Sequence, residues 1–285
     1  MPRFDPAWLD LQYNNRARIP EHPRIFEHWD KASARARESM SRRLDIAYGD
    51  GANETLDVFP TASANAPVLV FIHGGYWRSL DKRDVSFIAP SFVHAGAMVV
   101  VPNYALCPAV TIDEIALQLV RALAWTWRHA ALYGGDPRRI VVAGHSAGGH
   151  LAAMLLACEW QAVARDLPRG LVRAALAVSG IFDLEPLRHT PFLQGDLRLT
   201  PDTVRRASPA YFPPPASGTL HALVGELESE EFLRQNTLIR ERWGADKVPV
   251  CETVPGTDHL SVVTDLADAD ARLHRLAKEL LGLPR

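Results

Sequence analysis

Six segments of the chain are apolar on nearly every residue: 67–73 (PVLVFIH), 97–102 (AMVVVP), 139–144 (RIVVAG), 172–180 (VRAALAVSG), 219–225 (TLHALVG) and 248–254 (VPVCETV). A strand with one wet face alternates polar and apolar residues, whereas an unbroken apolar run belongs to a strand covered on both faces, as in a parallel sheet. Helical stretches lie between these runs. Residues 112–133 carry Ile115, Leu119, Leu123 and Trp127 at helical spacing and stop at Gly134-Gly135. Residues 147–158, 230–243 and 262–281 supply three more, the last ending at Gly282. Strand–helix alternation of this kind predicts an α/β fold with a mostly parallel, doubly wound sheet.

At 285 residues, a single domain spanning 1–285 is expected. Residues 1–40 read as an N-terminal extension with a helix over 26–40. Residues 183–215, punctuated by Pro186, Pro191, Pro201, Pro209 and Pro213-Pro214-Pro215, read as a small cap insertion. The net charge of −2 comes without any long basic run, which argues against nucleic acid as a partner. Arg35, Arg37, Arg42 and Arg43 are interleaved with Glu38 and Asp45 and read as a solvated helix face. The apolar runs are strand-sized, and the first residues are polar and broken by proline, so neither a membrane span nor an export signal is expected. Cys107, Cys158 and Cys251 are sparse and far apart, which fits a reducing cytoplasm.

Between the run at 139–144 and the helix at 147–158 stands Gly144-His145-Ser146-Ala147-Gly148, a G-x-S-x-G. The pentapeptide alone is common. Strand before and helix after make it the nucleophile elbow of an α/β-hydrolase, with Ser146 lifted above the sheet on a sharp turn. A serine hydroxyl near neutral pH needs an adjacent base, and in this fold the order along the chain is Ser, acid, His. His259, in the turn Gly256-Thr257-Asp258-His259 after the last strand, fits that order. His73, His94, His129, His145, His150, His189 and His221 precede the acid position, His22 and His28 lie in the extension, and His274 falls within the final helix.

The acid is expected just past the strand at 219–225, in Glu226-Leu227-Glu228-Ser229-Glu230-Glu231. Glu228 is the first choice and Glu226 the second, with Glu230 and Glu231 read as solvated or as helix N-terminal charges. Asp258 adjoins His259, but neighbouring side chains in an extended turn diverge. After the strand at 67–73 comes His73-Gly74-Gly75-Tyr76-Trp77. The amides of Gly74 and Gly75, with that of Ala147, are the expected donors to an oxyanion.

HGGYW with RSLDKRD behind it, PNYALCP, GHSAGGHLAA, GELESEEF and GTDHLSVV, together with the opening WLDLQYNNRARIPEH, resemble the arylformamidase (kynurenine formamidase) group of α/β-hydrolases, near the hormone-sensitive-lipase-like esterases. The resemblance runs from about Leu9 to the last helix. It implies Ser146 as nucleophile, His259 as base and Gly74 and Gly75 in the oxyanion hole. The group's acid is usually an aspartate, and Glu228 stands in its place.

The implied reaction is acyl transfer, with formyl as the acyl group and an aryl amine such as kynurenine leaving. A carboxylesterase acting on small or aromatic esters shares every one of these parts, and a non-catalytic binding protein is the reading from a different class. Tyr76 and Trp77 are expected to cramp the acyl pocket, and Tyr104 and Phe182 to wall the aryl group. Arg188 or His189 of the cap are candidate partners for an amino-acid headgroup. A small molecule is the expected partner, a homodimer is compatible with the sequence, and neither cofactor nor metal is implied, since no dinucleotide fingerprint follows the first strand and His145 and His150 lack carboxylate or thiol neighbours.

Overall fold

The computed structural model describes residues 4–284. Eight strands form one sheet: β1 (Arg43–Ala47), β2 (Thr55–Phe59), β3 (Ala66–Ile72), β4 (Met98–Pro102), β5 (Gly135–His145), β6 (Val172–Val178), β7 (Thr219–Gly225) and β8 (Val250–Val254). Their order is β1-β2-β4-β3-β5-β6-β7-β8. β2 runs antiparallel to both neighbours, and every other pairing is parallel. The apolar runs at β3 to β7 have the cause expected of them, whereas β8 lies at the edge of the sheet with Glu252 and Thr253 exposed, so the run at 248–254 is not covered on both faces. All of β3 is buried, with Val68, Val70 and Ile72 entering one core and Leu69 and Phe71 the other. The first core is covered by the helices Ile112–His129, Ala147–Leu156 and Glu230–Trp243, the second by His22–Ser39 and Arg272–Leu281.

β1 and β2 escape the apolar-run criterion. β1 carries Arg43 and Asp45 and has alternating exposure, as an edge strand does. β2 contains a fully buried carboxylate, Asp57, which accepts from Lys82 Nζ at 2.8 Å and Arg37 Nη1 at 2.6 Å. Lys82, itself 2% exposed, also pairs with Asp45. Arg37 is therefore not part of a solvated face: it pins the His22–Ser39 helix to β2. Arg42 and Arg43 lie beyond the end of that helix. Buried charges survive in this way only when paired.

Other boundaries move for local reasons. The stretch 112–133 ends its α-helix at His129 and tightens into a 3-10 turn, Ala130–Tyr133, closed by Gly134 at φ 88°. The stretch 262–281 is two helices, Ser261–Thr264 and Arg272–Leu281. Asp268 between them accepts the Asp270 amide at 3.0 Å, a local bond that competes with the helix. β8 starts after Pro249, which has no amide hydrogen to give to a ladder. Among the described residues no helix is long and apolar enough to cross a membrane.

Besides His259, His73, His145 and His150 are buried close to the carboxyl edge of the sheet. Burial holds His73 below the usual imidazole range, and burial together with the nearby His259 holds His145 well below it. Burial pushes His150 down to about 4; its Nε2–H donates to the Ala207 carbonyl at 2.7 Å. An unfolded chain takes up protons on these rings below about pH 6.5, while the folded chain does not until its own lower values are reached. Stability therefore falls with pH in the window from about 6.5 down to about 4. The urea midpoint should drop between pH 7 and pH 4.5, and His150→Gln, which keeps a donor for Ala207 but cannot titrate, should drop less. Equal drops in the two proteins would refute a neutral His150.

Candidate active site

β5 ends at His145 and the Ala147–Leu156 helix begins two residues later, so Ser146 alone makes the turn, at φ 56° and ψ −117°. A non-glycine residue at positive φ is strained, and the surroundings must hold it there. Its amide donates to the Val178 carbonyl at 2.8 Å, tying the turn to β6. A Cβ on Gly144 would lie 2.2 Å from the Gly148 carbonyl oxygen, and one on Gly148 would lie 2.0 Å from that of Ile72. The crossing leaves room for backbone only. Ala147 opens the helix, so its amide has no intrahelical acceptor and points with the positive end of the helix dipole towards the turn.

Glu228 follows β7 and is buried. Its Oε1 accepts from the Gly225 amide at 2.8 Å and from the Ser179 hydroxyl, and its Oε2 lies 2.6 Å from Nδ1 of His259. With a carboxylate on Nδ1, the imidazole keeps its hydrogen there and presents the lone pair of Nε2. The ring packs 4.4 Å from Phe232 and 4.8 Å from His145, centroid to centroid. Nε2–H of His145 donates to the His259 carbonyl at 2.7 Å. The other carboxylates go elsewhere. Glu226 is exposed and accepts the Gly256 amide at 2.9 Å, and Asp258 accepts the amides of Leu260 and Ser261. Glu230 is exposed in the first turn of its helix. Glu231 is not solvated: it is buried and accepts from Tyr13 Oη at 2.7 Å and Arg234 Nε at 2.8 Å.

The His73-Gly74-Gly75 turn lies directly against the elbow. A Cβ on Gly74 would sit 2.8 Å from the His145 carbonyl oxygen and 3.1 Å from the Ser146 Cβ. Gly75 has φ 96°, and its carbonyl is occupied by the amides of Arg78 and Ser79, which fixes the direction of the peptide. Tyr76 and Trp77 follow at φ 51° and 55°.

A cavity of about 410 Å³ opens above this turn. Ser146, His145, His259 and Gly75 line it beside aromatic Tyr76, Phe26, Trp29 and Phe192 and polar Asn14, Asn15, Arg16, Arg78 and Asp196. Of the four residues expected to contact substrate, only Tyr76 is here. Trp77 is fully buried, edge-on to the His150 ring at 4.9 Å. Tyr104 stacks on His73 at 4.2 Å and donates to its carbonyl at 2.9 Å. Phe182 is core, its amide given to Gln235 Oε1 at 2.8 Å. Each fills a large volume under the site and so supports it from below. Arg188 and His189 both pair with Glu185, away from the cavity lining. Among the described residues no group of three His, Cys, Asp or Glu side chains is placed to hold a metal ion.

Lining residues that sequence reasoning overlooked come from the N-terminal extension (Asn14, Asn15, Arg16, Phe26 and Trp29), from the turn after Trp77 and from Phe192 and Asp196 of the 183–215 segment. Tyr76 Oη donates to the Tyr13 carbonyl at 2.6 Å, which draws the N-terminal helices over the cavity. The opening WLDLQYNNRARIPEH carried the only hint of this in the sequence.

Fold and site together define a hydrolase of the α/β-hydrolase type. The BD-FAE family model matches residues 56–209. A kynurenine formamidase of Salmo salar is 31% identical over 262 residues, covering 88% of this chain and 86% of that protein. A crystal structure of a candidate thioesterase from Silicibacter sp. tm1040 superposes with a TM-score of 0.82 at 30% identity, over 93% of this chain and 97% of that one. The carboxylesterase EstE1, cloned from a metagenomic library, shares the fold with a TM-score of 0.73 at 19% identity, over 92% of this chain and 96% of that one. The chain belongs to the BD-FAE family and to the family of the kynurenine formamidases.

The strain at Ser146 is measurable by itself. Ser146→Gly relieves the positive φ, whereas Ser146→Ala keeps it. After the extra unfolded-state freedom of glycine is subtracted, the glycine variant should be more stable than the alanine variant by about 1 kcal/mol, read as the higher Tm. A glycine variant that melts at or below the alanine variant would show an unstrained turn.

Proposed function

We propose that the chain hydrolyses N-formyl aryl amines, N-formyl-L-kynurenine among them, through a formyl-enzyme on Ser146. The likeness to kynurenine formamidases over 88% of the chain carries the substrate class. The mechanism is supported by one contact, the 2.6 Å bond between Glu228 and Nδ1 of His259. Ser146 Oγ attacks the formyl carbon while His259 Nε2 takes its proton. The charge that develops on the carbonyl oxygen is met by the amides of Gly74, Gly75 and Ala147. His259 then delivers the proton to the aryl nitrogen, and the amine leaves. Water, deprotonated by the same ring, attacks the formyl ester, and formate departs with Ser146 restored. Glu228 holds the tautomer and balances the imidazolium. The N-terminal helices and the 183–215 segment belong to one domain with the sheet, since both wall the same cavity.

The extra methylene of glutamate relative to the group's usual aspartate has a place here. It lets one carboxylate reach His259 with Oε2 while Oε1 stays on the Gly225 amide and the Ser179 hydroxyl. Glu228→Gln should lower kcat by about 10³- to 10⁴-fold with the fold intact. Glu228→Asp, too short to keep both anchors, should lose about 10- to 100-fold. If Glu228→Gln retains full activity, another group holds His259.

A carboxylesterase is the second reading, because an ester presents the same carbonyl to the same parts. The two separate in a side-by-side assay of N-formyl-L-kynurenine and p-nitrophenyl acetate with Ser146→Ala as the blank. The expected outcome is a kcat/KM at least about a hundredfold higher for the formamide, which is about 2.7 kcal/mol of differential transition-state binding. Preference for the ester would assign a carboxylesterase. A folded protein that a fluorophosphonate leaves unlabelled would be a binder instead.

A further inference from the structure

We infer that Arg16 and Asn14 form a carboxylate subsite at the cavity wall, which selects leaving groups bearing a carboxylate on an aromatic body. The inference rests on the reading of Ser146 as the reacting group. Arg16 lines the cavity and has no carboxylate within ion-pair distance among the described residues. Arg16 is exposed at the rim, and its guanidinium stands 5.5 Å over the Phe26 ring, another lining residue, so one face of the charge rests on the aromatic wall. The other lining cation, Arg78, is already used: it pairs with Asp196 and donates to the Phe192 carbonyl at 2.9 Å. Asp196 is the one carboxylate among the lining residues. Arg16 and Arg78 against Asp196 leave one positive charge uncompensated at the wall.

Asn14 adds a neutral donor to the same lining. Its Oδ1 is taken by the Ala17 amide at 3.2 Å as the cap of the Asn15–Arg18 turn, which leaves the side-chain NH₂ to give. A guanidinium and an amide donor lining one cavity suit a carboxylate, which offers two oxygens and accepts only. Phe26, Trp29, Tyr76 and Phe192 line the same cavity as Ser146 and suit a flat aromatic ring. One cavity thus offers a reacting group, aromatic walls and an unpaired cation to a substrate with a carbonyl, an aryl ring and a carboxylate.

The test uses substrate pairs that differ only in the carboxylate: N-formyl-L-kynurenine with N-formylkynuramine, and O-acetyl-L-tyrosine with O-acetyltyramine. The parent should prefer the carboxylate member of a pair in kcat/KM, chiefly through KM. In Arg16→Ala the preference ratio should fall about 10- to 100-fold, in Arg16→Lys less, and in Asn14→Ala about threefold to tenfold. A general loss of structure lowers both members together and leaves the ratio alone. The ester pair keeps the test independent of the formamide reading: if neither formamide is turned over, that reading fails, while a ratio among the esters that falls in Arg16→Ala still supports the subsite. A parent without preference in the pair it hydrolyses, or a ratio within twofold of the parent's in Arg16→Ala, overturns the inference.

Discussion

The carbonyl oxygen of Ile72 occupies the space where any side chain on residue 148 would have to go. That single close approach sets the Ala147–Leu156 helix onto the end of β3 and forces the chain to leave β5 through one strained residue. It also seats the elbow against the His73-Gly74-Gly75 turn, which starts where β3 ends. The parallel register does the rest. β3, β5, β6, β7 and β8 all finish at one edge, so the turn at Gly74, Ser146, the hydroxyl of Ser179, Glu228 and His259 gather there from five separate parts of the chain. An open α/β sheet places ligands at this edge for the same reason.

A buried polar network attaches the N-terminal helices to the Glu230–Trp243 helix, which follows Glu228. Tyr13 donates to Glu231, and Gln235 donates to both Tyr13 Oη and the Asp183 carbonyl while accepting the amides of Phe182 and Asp183. Asp183 begins the segment between β6 and β7 that carries Phe192 and Asp196 to the cavity. Three stretches distant in sequence are thus bonded to one another below the cavity before any of them meets a ligand. Burial of so many polar groups is tolerable because each finds a partner.

The parts of the fold that follow from solvent exclusion were legible in the sequence. β3 to β7 read as apolar runs because both faces are covered, and the elbow reads as glycine, serine and glycine because backbone crosses backbone there. Glu228 was legible from its distance beyond β7, although nothing in a run of four glutamates says which one turns inward. What decides it is the Gly225 amide and the Ser179 hydroxyl, and Ser179 follows the end of β6. Asp57 was not legible at all, since a lone aspartate in a short strand gives no sign of the lysine and arginine that neutralise it. The aromatic residues were misread for a related reason. Trp77, Tyr104 and Phe182 stand beside motif residues in sequence and pack beneath them, whereas Phe26 and Trp29 reach the cavity from a helix whose sequence looks like an ordinary amphipathic surface helix.

His145 precedes Ser146 in the chain, and its ring holds the main chain of His259. Any displacement of the tip of β5 is therefore passed to both residues with the same sign. Thermal excursions of the sheet edge become common-mode motion for the pair, in which absolute positions wander while the gap between them is conserved. A separation kept by a shared tether in this way tolerates a mobile scaffold better than one kept by two independently rigid walls.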